Sequence, residues 1–434
     1  MNLNLNLKMN LEDKEIGIPT ERTLKILKKA SERAKAEVEK NLKSLAERED
    51  YSPQFDYFMK LCGGEQTPEA IERRTGRSAA RLLCIQAPIE LIHAAGFHPY
   101  KIASGSQAMT SLAAHGLPAL MCPMIRAVIG AVLESGPGSG TSPVTSPWIL
   151  PTTCDWVAKF PEMLRSFGVE NRIHWMELPH LKDGDAGQAR WLEEVFGLKK
   201  FLETSGAKIG RKSLADSVRI YDDAWRALNR LAKMRREERI ANVWFMLIAG
   251  SFFLDSPERW TEAALSIAPS SAPPSGPGRA RVFLAGSPIF FPNFKLLHLL
   301  EDTGITVAAD DLCSGERVFP GAVACKDTSE FGIISALAQR YHQGCLCPTF
   351  IDNDRRVNGI LCEKRTAGLR GVVFHVLKGC HPYDLESLGI ERILKERGLR
   401  FLRIETDYAS EDSQNLRTRL EAYRRTFGGE RDEL

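Results

Sequence analysis

The sequence predicts an α/β protein in which two parallel-sheet units are separated by a helical stretch and preceded by a helical region. Short apolar runs alternate with amphipathic segments from about residue 80 to residue 177, and the alternation resumes at residue 280. Between them, residues 187–265 have apolar side chains at helical spacing and no strand pattern. Because parallel strands need crossover connections, usually helices, this rhythm is typical of parallel sheets covered by helices.

Four segments are expected from these patterns. Residues 1–78 form an N-terminal helical region, in which a highly charged and largely solvated helix is expected over residues 20–50. Residues 79–268 form a first α/β domain with a helical insertion. Residues 269–279 form a linker rich in Pro, Ser and Gly, and residues 280–434 form a second α/β domain.

The predicted elements alternate within each unit. In the first unit we expect strands at 81–86, 98–103, 148–150 and 172–177, with helices at 88–95, 124–133 and 155–167. Two or three long helices are expected in 187–265. In the second unit we expect strands at 282–285, 306–309, 371–377 and 401–404, with helices at 292–302, 328–342, 385–397 and 411–427.

Composition and charge restrict the function classes. The chain has 434 residues, of which 43% are hydrophobic and 26% charged, which is typical of a globular protein and not of a disordered, fibrous or integral membrane one. A net charge of +3 provides no general basic field for nucleic acid. The longest apolar run, 241–254, is too short to span a bilayer and is expected to be a buried helix. The first residues lack a signal-peptide pattern, so we expect a cytoplasmic protein with reduced cysteines.

Ten cysteines are the least ordinary feature of the composition. They include no C-x-x-C pair, so zinc-ribbon and thioredoxin-like sites are not indicated. Seven lie near predicted strand or helix ends: Cys84, Cys122, Cys154, Cys313, Cys345, Cys347 and Cys380. Open α/β sheets bind ligands at the carboxyl ends of their strands, and helix N-termini favour thiolates. We therefore expect several of the seven to converge on one cleft, whereas Cys62, Cys325 and Cys362 are interpreted as small apolar side chains.

Short motifs occur in a fixed order along the chain. The N-terminal ones are Pro88–Phe97 (PIELIHAAGF), Cys122–Arg126 (CPMIR) with Gly130, and Pro151–Trp156 (PTTCDW). The C-terminal ones are Lys378–Asp384 (KGCHPYD) and Ile404–Tyr408 (IETDY), followed by Gln414 and by residues 417–422. Together they resemble the 2-hydroxyacyl-CoA dehydratase / benzoyl-CoA reductase family, in its D-component. The resemblance runs from about residue 80 to the C-terminus.

This resemblance implies two Rossmann-like (flavodoxin-like) domains that hold an oxygen-sensitive iron–sulfur cluster. By motif, the three cysteine ligands would be Cys122, Cys154 and Cys380, leaving the fourth iron open to substrate or water. An ATP-dependent activator iron–sulfur protein delivers electrons to such subunits, and this chain has no G-x-x-x-x-G-K-[ST] loop of its own. The family works as dimers, formed with a second copy or with a paralogous subunit.

The additional cysteines resemble the double-cubane branch of the family, in which six cysteines hold two bridged cubanes ([8Fe-9S]). Here the six would be Cys84, Cys122, Cys154, Cys313, Cys345 and Cys380, with Cys347 as a competitor for Cys345. That branch implies ATP-driven, anaerobic reduction of a small substrate. Two alternatives stay open: a dehydratase or reductase subunit with one [4Fe-4S] cluster and an acyl-CoA substrate, and a non-catalytic electron-relay or accessory subunit.

Glu90 and His381 are candidates for catalysis beside such a cluster. Glu90 is interpreted as an acid or base there, or as a helix cap. His381 adjoins Cys380, and His375 lies in a predicted strand; each is interpreted as a hydrogen-bond partner of a cysteine sulfur or as a side chain satisfied by the backbone. His93 is expected to be a packed helix residue.

Several remaining features have mainly structural interpretations. Residues 229–239 (NRLAKMRREER) are expected to be a solvated basic face, or else a dock for an acidic activator or for CoA phosphates. Glu405 and Asp407 are expected in surface ion pairs. Ser287 and Pro288, with Asn293, are interpreted as a phosphate-binding turn or a helix cap. The glycine-rich stretch 136–140 is interpreted as a loop.

Overall fold

The computed structural model describes residues 21–114, 117–118, 120–135, 146–167, 172–182, 184–270, 279–319, 321–351 and 354–427. The elements of the first half are α1 (Glu21–Ala46), α2 (Asp56–Gly63), α3 (Pro68–Thr75), β1 (Ala79–Leu82), α4 (Ile89–Ala94), β2 (His98–Lys101), α5 (Gln107–Ala113), α6 (Pro123–Ser135), β3 (Trp148–Pro151), α7 (Asp155–Ser166) and β4 (Ile173–Met176). They are followed by α8 (Asp185–Glu203), α9 (Arg211–Arg236), α10 (Asn242–Gly250) and α11 (Pro257–Ser266). The last elements are β5 (Ala280–Gly286), α12 (Lys295–Asp302), β6 (Ile305–Asp310), α13 (Glu330–Gly344), α14 (Asp354–Thr366), β7 (Gly371–Leu377), α15 (His381–Glu396), β8 (Arg400–Thr406) and α16 (Ser413–Arg425).

Two four-stranded parallel sheets organise the chain, which confirms the predicted fold class. The first sheet has the strand order β2-β1-β3-β4 and the second has the order β6-β5-β7-β8. All pairs are parallel, with Leu82 opposite Ile149 in the first sheet and Gly286 opposite His375 in the second. In each sheet the order reverses between the two central strands, and such a switch point opens a crevice at the carboxyl edge.

The central strands are apolar because helices cover both faces. Every residue of β7 (GVVFHVL) is buried, and β5 is buried except at one position. Parallel strands that are covered on both faces read as continuous apolar runs, which is why the sequence identified them. Cys84 was predicted inside the first strand, but β1 ends at Leu82, so Cys84 lies in the loop that follows.

The helical middle region contains four helices rather than the predicted two or three, because shorter α10 and α11 follow the long α8 and α9. The longest apolar run of the sequence supplies α10, which is buried from Asn242 to Ala249, as predicted. Helix α14 was not predicted; it is strongly polar and buries only Arg356, Val357 and Ile360. Within the described residues, no helix is long and apolar enough to cross a membrane.

The basic end of α9 is only in part the solvated face that its composition predicted, since Lys233 is exposed but Arg235 and Arg236 are held in ion pairs. Arg235 is 1% exposed and donates to Asp310 at 2.6 Å, to Asn242 at 2.9 Å and to Glu316. Arg236 donates to Glu316 at 2.7 Å and to Glu363 at 2.8 Å. These two charges join α9 to the end of β6 and to α14, so they are not available to an outside partner.

Helix α1 is highly charged, as predicted, but it is also attached to both halves of the chain. Its Glu37 accepts hydrogen bonds from the Ser106 hydroxyl at 2.6 Å and from the Ala108 N–H at 2.9 Å, at the start of α5. Just after α1, Arg48 pairs with Glu301 of α12 at 2.8 Å. The main apolar core is correspondingly continuous from α1 through both sheets to residue 427.

A glycine sets the distance between the loops of the two sheets. Gly379, in the turn between β7 and α15, has φ +75°, and a Cβ atom there would meet the Leu120 carbonyl oxygen at 2.0 Å and the Cys122 nitrogen at 3.2 Å. The backbone of the second sheet's turn therefore lies directly against the segment that precedes α6. Only glycine combines this positive φ with so close an approach.

We expect Gly379→Ala to lower the free energy of unfolding by at least about 2 kcal/mol, since it adds a backbone clash to the strain of a positive φ. Gly76→Ala is the matched control, because Gly76 has φ +71° and open space around its Cα. It should cost about 1 kcal/mol. Urea unfolding of both variants checks this, and equal losses would show that the two loops do not press on each other.

Candidate functional site

Three of the predicted ligands meet where the loops of the two sheets touch. Cys122 and Cys154 directly precede α6 and α7, on the first sheet's side, and Cys380 directly precedes α15, on the second sheet's side. We call these three the first cysteine group. Each cysteine carbonyl accepts an early helical hydrogen bond, from Arg126, Ala158 and Asp384 respectively. Each thiol therefore lies at the positive end of a helix.

Backbone amides surround the sulfur atoms of the first cysteine group. Cys122 accepts a hydrogen bond from the Cys380 thiol, and this contact lowers the pKa of Cys122, helped by two amides of α6. The pKa of Cys380 rises well above its usual value because its thiol donates that bond and is buried. Burial raises the pKa of Cys154 to about 12, although two amides of α7 donate to its sulfur. The Trp156 indole N–H donates to the Gly379 carbonyl at 3.0 Å and so links the loops of the two sheets.

Four further cysteines form a second cysteine group: Cys84, Cys313, Cys345 and Cys347. Cys84 follows β1, Cys313 follows β6, and Cys345 and Cys347 follow α13. Burial raises the pKa of Cys84 to about 12, and the neighbouring Cys347 and Cys313 thiols add to that rise. A hydrogen bond from Cys345 lowers the pKa of Cys347 to about 7, whereas burial raises that of Cys345 well above its usual value. The structure thus brings all seven predicted cysteines into two sets.

The two cysteine groups are neighbours. Cys154 of the first group lies within electrostatic range of Cys347 of the second. None of the ten cysteines, all of which lie in the described part of the chain, forms a disulfide. Across the described ranges, no three His, Cys, Asp or Glu side chains converge tightly enough to hold a single metal ion. The arrangement is therefore a spread set of thiols and not a one-ion site.

Arg317 holds the second cysteine group together. Its guanidinium donates to the Asp311 carbonyl, two residues before Cys313, and to the Leu346 carbonyl, between Cys345 and Cys347. It also donates to the Tyr383 hydroxyl at 2.7 Å, in the first turn of α15. The Asp311 carboxylate and the Cys345 and Cys313 thiols help to raise the pKa of Arg317 although burial opposes it. One cation thus ties three cysteine-bearing segments to each other.

More positive charge lies around the second cysteine group. Lys182 donates to the Cys345 carbonyl and Lys101 donates to the Cys313 carbonyl, the latter at 3.0 Å. Arg356 pairs with Asp311 and Glu386 and is fully buried. Thiolates gathered here would find compensating charge on several sides, which lowers the cost of holding negative charge in a buried place.

A tyrosine and a serine face the first cysteine group. Ser287, at the carboxyl end of β5, accepts from the Leu377 N–H at 3.1 Å and donates to the Cys380 sulfur. It therefore does not cap a helix, and α12 begins only at Lys295. Tyr408 lies after β8, and burial raises its pKa well above the usual value, with Cys122 and Cys380 adding to the rise. Its buried hydroxyl has no hydrogen-bond partner among the described residues.

Glu90 lies away from the thiols and acts within the fold. Its carboxylate accepts from Arg340 and from the Tyr341 hydroxyl, the latter at 2.9 Å, and it is 1% exposed. The Tyr341 hydroxyl in turn accepts from the Ile89 N–H at 3.1 Å. These contacts join α4 to α13, the helix that precedes Cys345. This is a structural use of Glu90, and a catalytic role for it stays a prediction.

The histidines separate into buried and exposed ones. His381 is exposed and stacks near Trp156, with ring centroids 6.5 Å apart, beside the first cysteine group. His375 makes a 2.8 Å hydrogen bond with the Ser287 carbonyl, and burial lowers its pKa to about 4. His93 contacts the Ser217 hydroxyl at 3.1 Å, and burial lowers its pKa to about 3. The backbone interpretation of His375 and the packed interpretation of His93 are thus confirmed.

The remaining expectations from the sequence concern minor features. Asp407 pairs with Lys378 at 2.8 Å and Glu405 pairs with Arg403 at 2.8 Å, as expected. Cys62 is buried in the core, as expected, whereas Cys362 is exposed on α14, so the interpretation of Cys362 as a small buried apolar side chain was wrong. The glycine-rich stretch 136–140 and most of the predicted linker, residues 271–278, lie outside the described residues.

Comparison with known proteins decides the family. The model for the family described as 2-hydroxyglutaryl-CoA dehydratase, D-component, matches residues 84–425. The chain belongs to this family. The match begins at Cys84 and ends in α16, so it takes in both cysteine groups.

Relatives of this D-component chain are named as dehydratase subunits. The chain is 27% identical to "Putative dehydratase subunit YjiM" of Escherichia coli (strain K12), over 78% of this chain and 89% of that protein. It is 25% identical to the lactoyl-CoA dehydratase subunit beta of Anaerotignum propionicum, over 80% and 91%. It is 21% identical to the (R)-phenyllactyl-CoA dehydratase beta subunit of Clostridium sporogenes, over 82% and 93%.

Sequence reasoning missed several residues that surround the thiols of this D-component chain. Tyr383 and Tyr408 lie inside the motifs that carry the resemblance, so their position in those motifs was an available signal. Arg317 follows the Cys313 loop by four residues, which gives a weaker signal. Lys101 ends β2, and only its place at the carboxyl edge of a strand marks it.

We expect Glu90→Gln to lower the free energy of unfolding by about 3 kcal/mol, because it leaves the buried Arg340 guanidinium without its charged partner. Glu162→Gln, in the exposed 3.1 Å pair with Lys159, is the control and should cost less than about 1 kcal/mol. Urea unfolding compares the two. A Glu90→Gln protein as stable as the control would show that this ion pair does not support the fold.

Proposed function

We propose that this chain is the iron–sulfur component of a low-potential reductase of its family, of the double-cubane type, acting on a small substrate. The observation that carries the proposal is the pair of adjacent cysteine groups, since a single-cluster subunit needs only the first. An ATP-dependent activator protein would deliver the electrons. A second copy or a paralogous subunit would complete the enzyme, as the names of the relatives, which are subunits, suggest.

The donor set fits such a cluster. All seven thiols are unbridged, and thiolates are the ligands that iron–sulfur clusters use. Each ligand of a cubane binds a different iron atom, so the thiols need not converge on one point as they do around a single ion. The first group offers Cys122, Cys154 and Cys380. The second offers Cys84, Cys313 and either Cys345 or Cys347.

The positions of the two competing thiols, Cys345 and Cys347, favour Cys347 as a ligand. Cys347 lies within electrostatic range of Cys84 in the second group and of Cys154 in the first, so it lies between the two groups. We therefore propose Cys347 in place of Cys345, which the sequence had favoured, as the sixth ligand.

The protein's own residues would prepare the site for this chemistry. A bound cluster would accept low-potential electrons one at a time. The amides of α6, α7 and α15 would stabilise the thiolates of the first group, and Arg317, Lys182 and Lys101 would offset the charge of the second. His381, exposed beside Cys380, would be placed to donate a proton at the mouth of the site.

A single-cluster acyl-CoA dehydratase subunit is the second candidate, and the names of the relatives favour it. In that case only the first cysteine group would hold iron, and the second would be a buried thiol cluster under Arg317. A non-catalytic relay subunit would carry iron as well. Iron content therefore separates one cluster from two, while substrate turnover separates a catalytic subunit from a relay.

We expect anaerobically purified protein to contain about eight iron atoms per chain, and about four if only one cubane is present. Cys313→Ala should roughly halve the iron, whereas Cys122→Ala, Cys154→Ala and Cys380→Ala should each remove the iron of the first group. Iron and acid-labile sulfide assays on each variant check this.

Cys362→Ala is the matched control, because Cys362 is exposed on α14 and should leave the iron content unchanged. Wild-type protein that stays near zero iron after anaerobic reconstitution would contradict both cluster proposals. Cys313→Ala protein with full iron would leave only the single-cluster candidate.

We expect Tyr408→Phe to keep its iron but to make the midpoint potential more negative by about 40 mV, since phenylalanine cannot donate the hydrogen bond of about 1 kcal/mol that the unpartnered hydroxyl would make to a ligand sulfur once a cluster is bound. Its hydroxyl is buried near Cys122 and Cys380 without another partner among the described residues. Redox titration monitored by electron paramagnetic resonance measures the shift. Tyr423→Phe is the control, because that hydroxyl bonds the Val372 and Arg400 carbonyls. Equal potentials in both variants would contradict a role for Tyr408.

A further inference from the structure

A small cavity lies against Cys313 of the second cysteine group. Cys313 and Ser314 form one wall, and Lys101 and Ala103, just after β2, form another. The rest of the lining is largely apolar and comes from α10 and from the segment after β5, including Phe253 and the aromatic pair 290–291. The cavity has a volume of about 40 Å³.

Lys101 is the one cation among the described residues that line this cavity, and its side chain is largely buried. It is 7% exposed, its ammonium donates to the Cys313 carbonyl at 3.0 Å, and it lies 4.8 Å from the centre of the Phe290 ring. Among the described residues no carboxylate pairs with it. A buried ammonium without a counter-ion is costly, and it has donors to spare because a carbonyl uses only one of three.

The size and charge of the cavity define what fits. A volume of about 40 Å³ accommodates roughly three water molecules, so an acyl chain attached to CoA does not fit. A ligand of three or four non-hydrogen atoms does. The ammonium favours a negative charge, and the apolar wall favours a compact molecule that needs few other hydrogen bonds.

We propose that this cavity is a binding site for a small monoanion, held by Lys101 against the second cysteine group. That this anion is the substrate of the enzyme rests on the proposed function; that it binds does not, because the cavity and Lys101 are present without any cluster. Lys101 lies within electrostatic range of the Cys84 thiol and donates a hydrogen bond to the Cys313 carbonyl. A bound anion would therefore lie next to two candidate ligands. Lys101 is thus a positioning residue for the substrate.

Formate is a suitable probe, since it is a three-atom monoanion, and formamide is its neutral counterpart of the same size. We expect the anaerobically purified full chain to bind one carbon-13-labelled formate with a Kd of about 1 mM, near the best that so small a ligand achieves. Formamide should bind at least about tenfold more weakly. Line broadening in carbon NMR measures both.

Three variants test the site in different ways. Lys101→Met removes the charge and should weaken formate binding at least about tenfold. Ala103→Leu fills the cavity, leaves the charge in place and should abolish binding. Lys101→Arg keeps the charge and gives a second reading if Lys101→Met does not fold. Lys199→Met is the control, because Lys199 pairs with Glu203 and Glu330 on a distant helix and should bind formate like the wild type.

Iron assays on the same samples separate this proposal from the proposed function. Protein that stays without iron after anaerobic reconstitution but still binds formate through Lys101 would overturn the proposed function and support the cavity. Iron-loaded protein that binds no formate, or Lys101→Met protein that binds formate as the wild type does, would overturn the cavity. Formamide that binds as tightly as formate would overturn it too, because the charge of Lys101 would then have no effect.

Discussion

The approach of the Gly379 turn to the segment before α6 is the contact on which the rest of the site depends. It brings a thiol from the second sheet within hydrogen-bond reach of a thiol from the first. Two parallel sheets each offer a crevice at the carboxyl edge, but neither supplies all six proposed ligands alone. Facing the two crevices towards each other solves that problem, and it requires backbone to touch backbone without a side chain between. The Trp156 indole then holds the two loops at that distance.

Buried charge brings the segments of the second cysteine group together, as the close approach at Gly379 does for the first. Arg317 reaches three segments that are distant in sequence and joins them through carbonyl and hydroxyl groups. Nearby, Arg235 and Arg356 form ion pairs with carboxylates at the end of β6, so the strand end is surrounded by paired charges. Buried ion pairs contribute little net stability, but they enforce one arrangement, because any other leaves a charge unpaired. The ion pairs around the thiols thus select one arrangement of this region more than they add to its stability.

Most of the fold could be predicted from sequence because parallel strands buried on both faces are continuous apolar runs, as in β5 and β7. Helix α14 could not, since its few buried positions include the charged Arg356, which periodicity counts as exposed. The cysteines could be singled out by their places at strand and helix ends, and motif order supplied the family. The basic end of α9 was misjudged because composition cannot show that Asp310 and Glu316 lie opposite its arginines. Lys101 was missed for the same reason. Only the folded chain shows that it is buried and that no carboxylate among the described residues pairs with it.

The order in which the chain is synthesised determines when the contact between the end of helix α1 and α12 can form. This helix leaves the ribosome before either sheet, yet Arg48 meets Glu301 only after 253 further residues have been made. The pairing of Cys122 with Cys380 waits longer still, until the turn after β7 has been translated. Domains generally fold as units during synthesis, so the first sheet can form early with its thiols exposed and unmatched. The complete set of thiols is therefore a late product of translation, and a nascent chain depends on a reducing environment to protect cysteines whose partners do not yet exist.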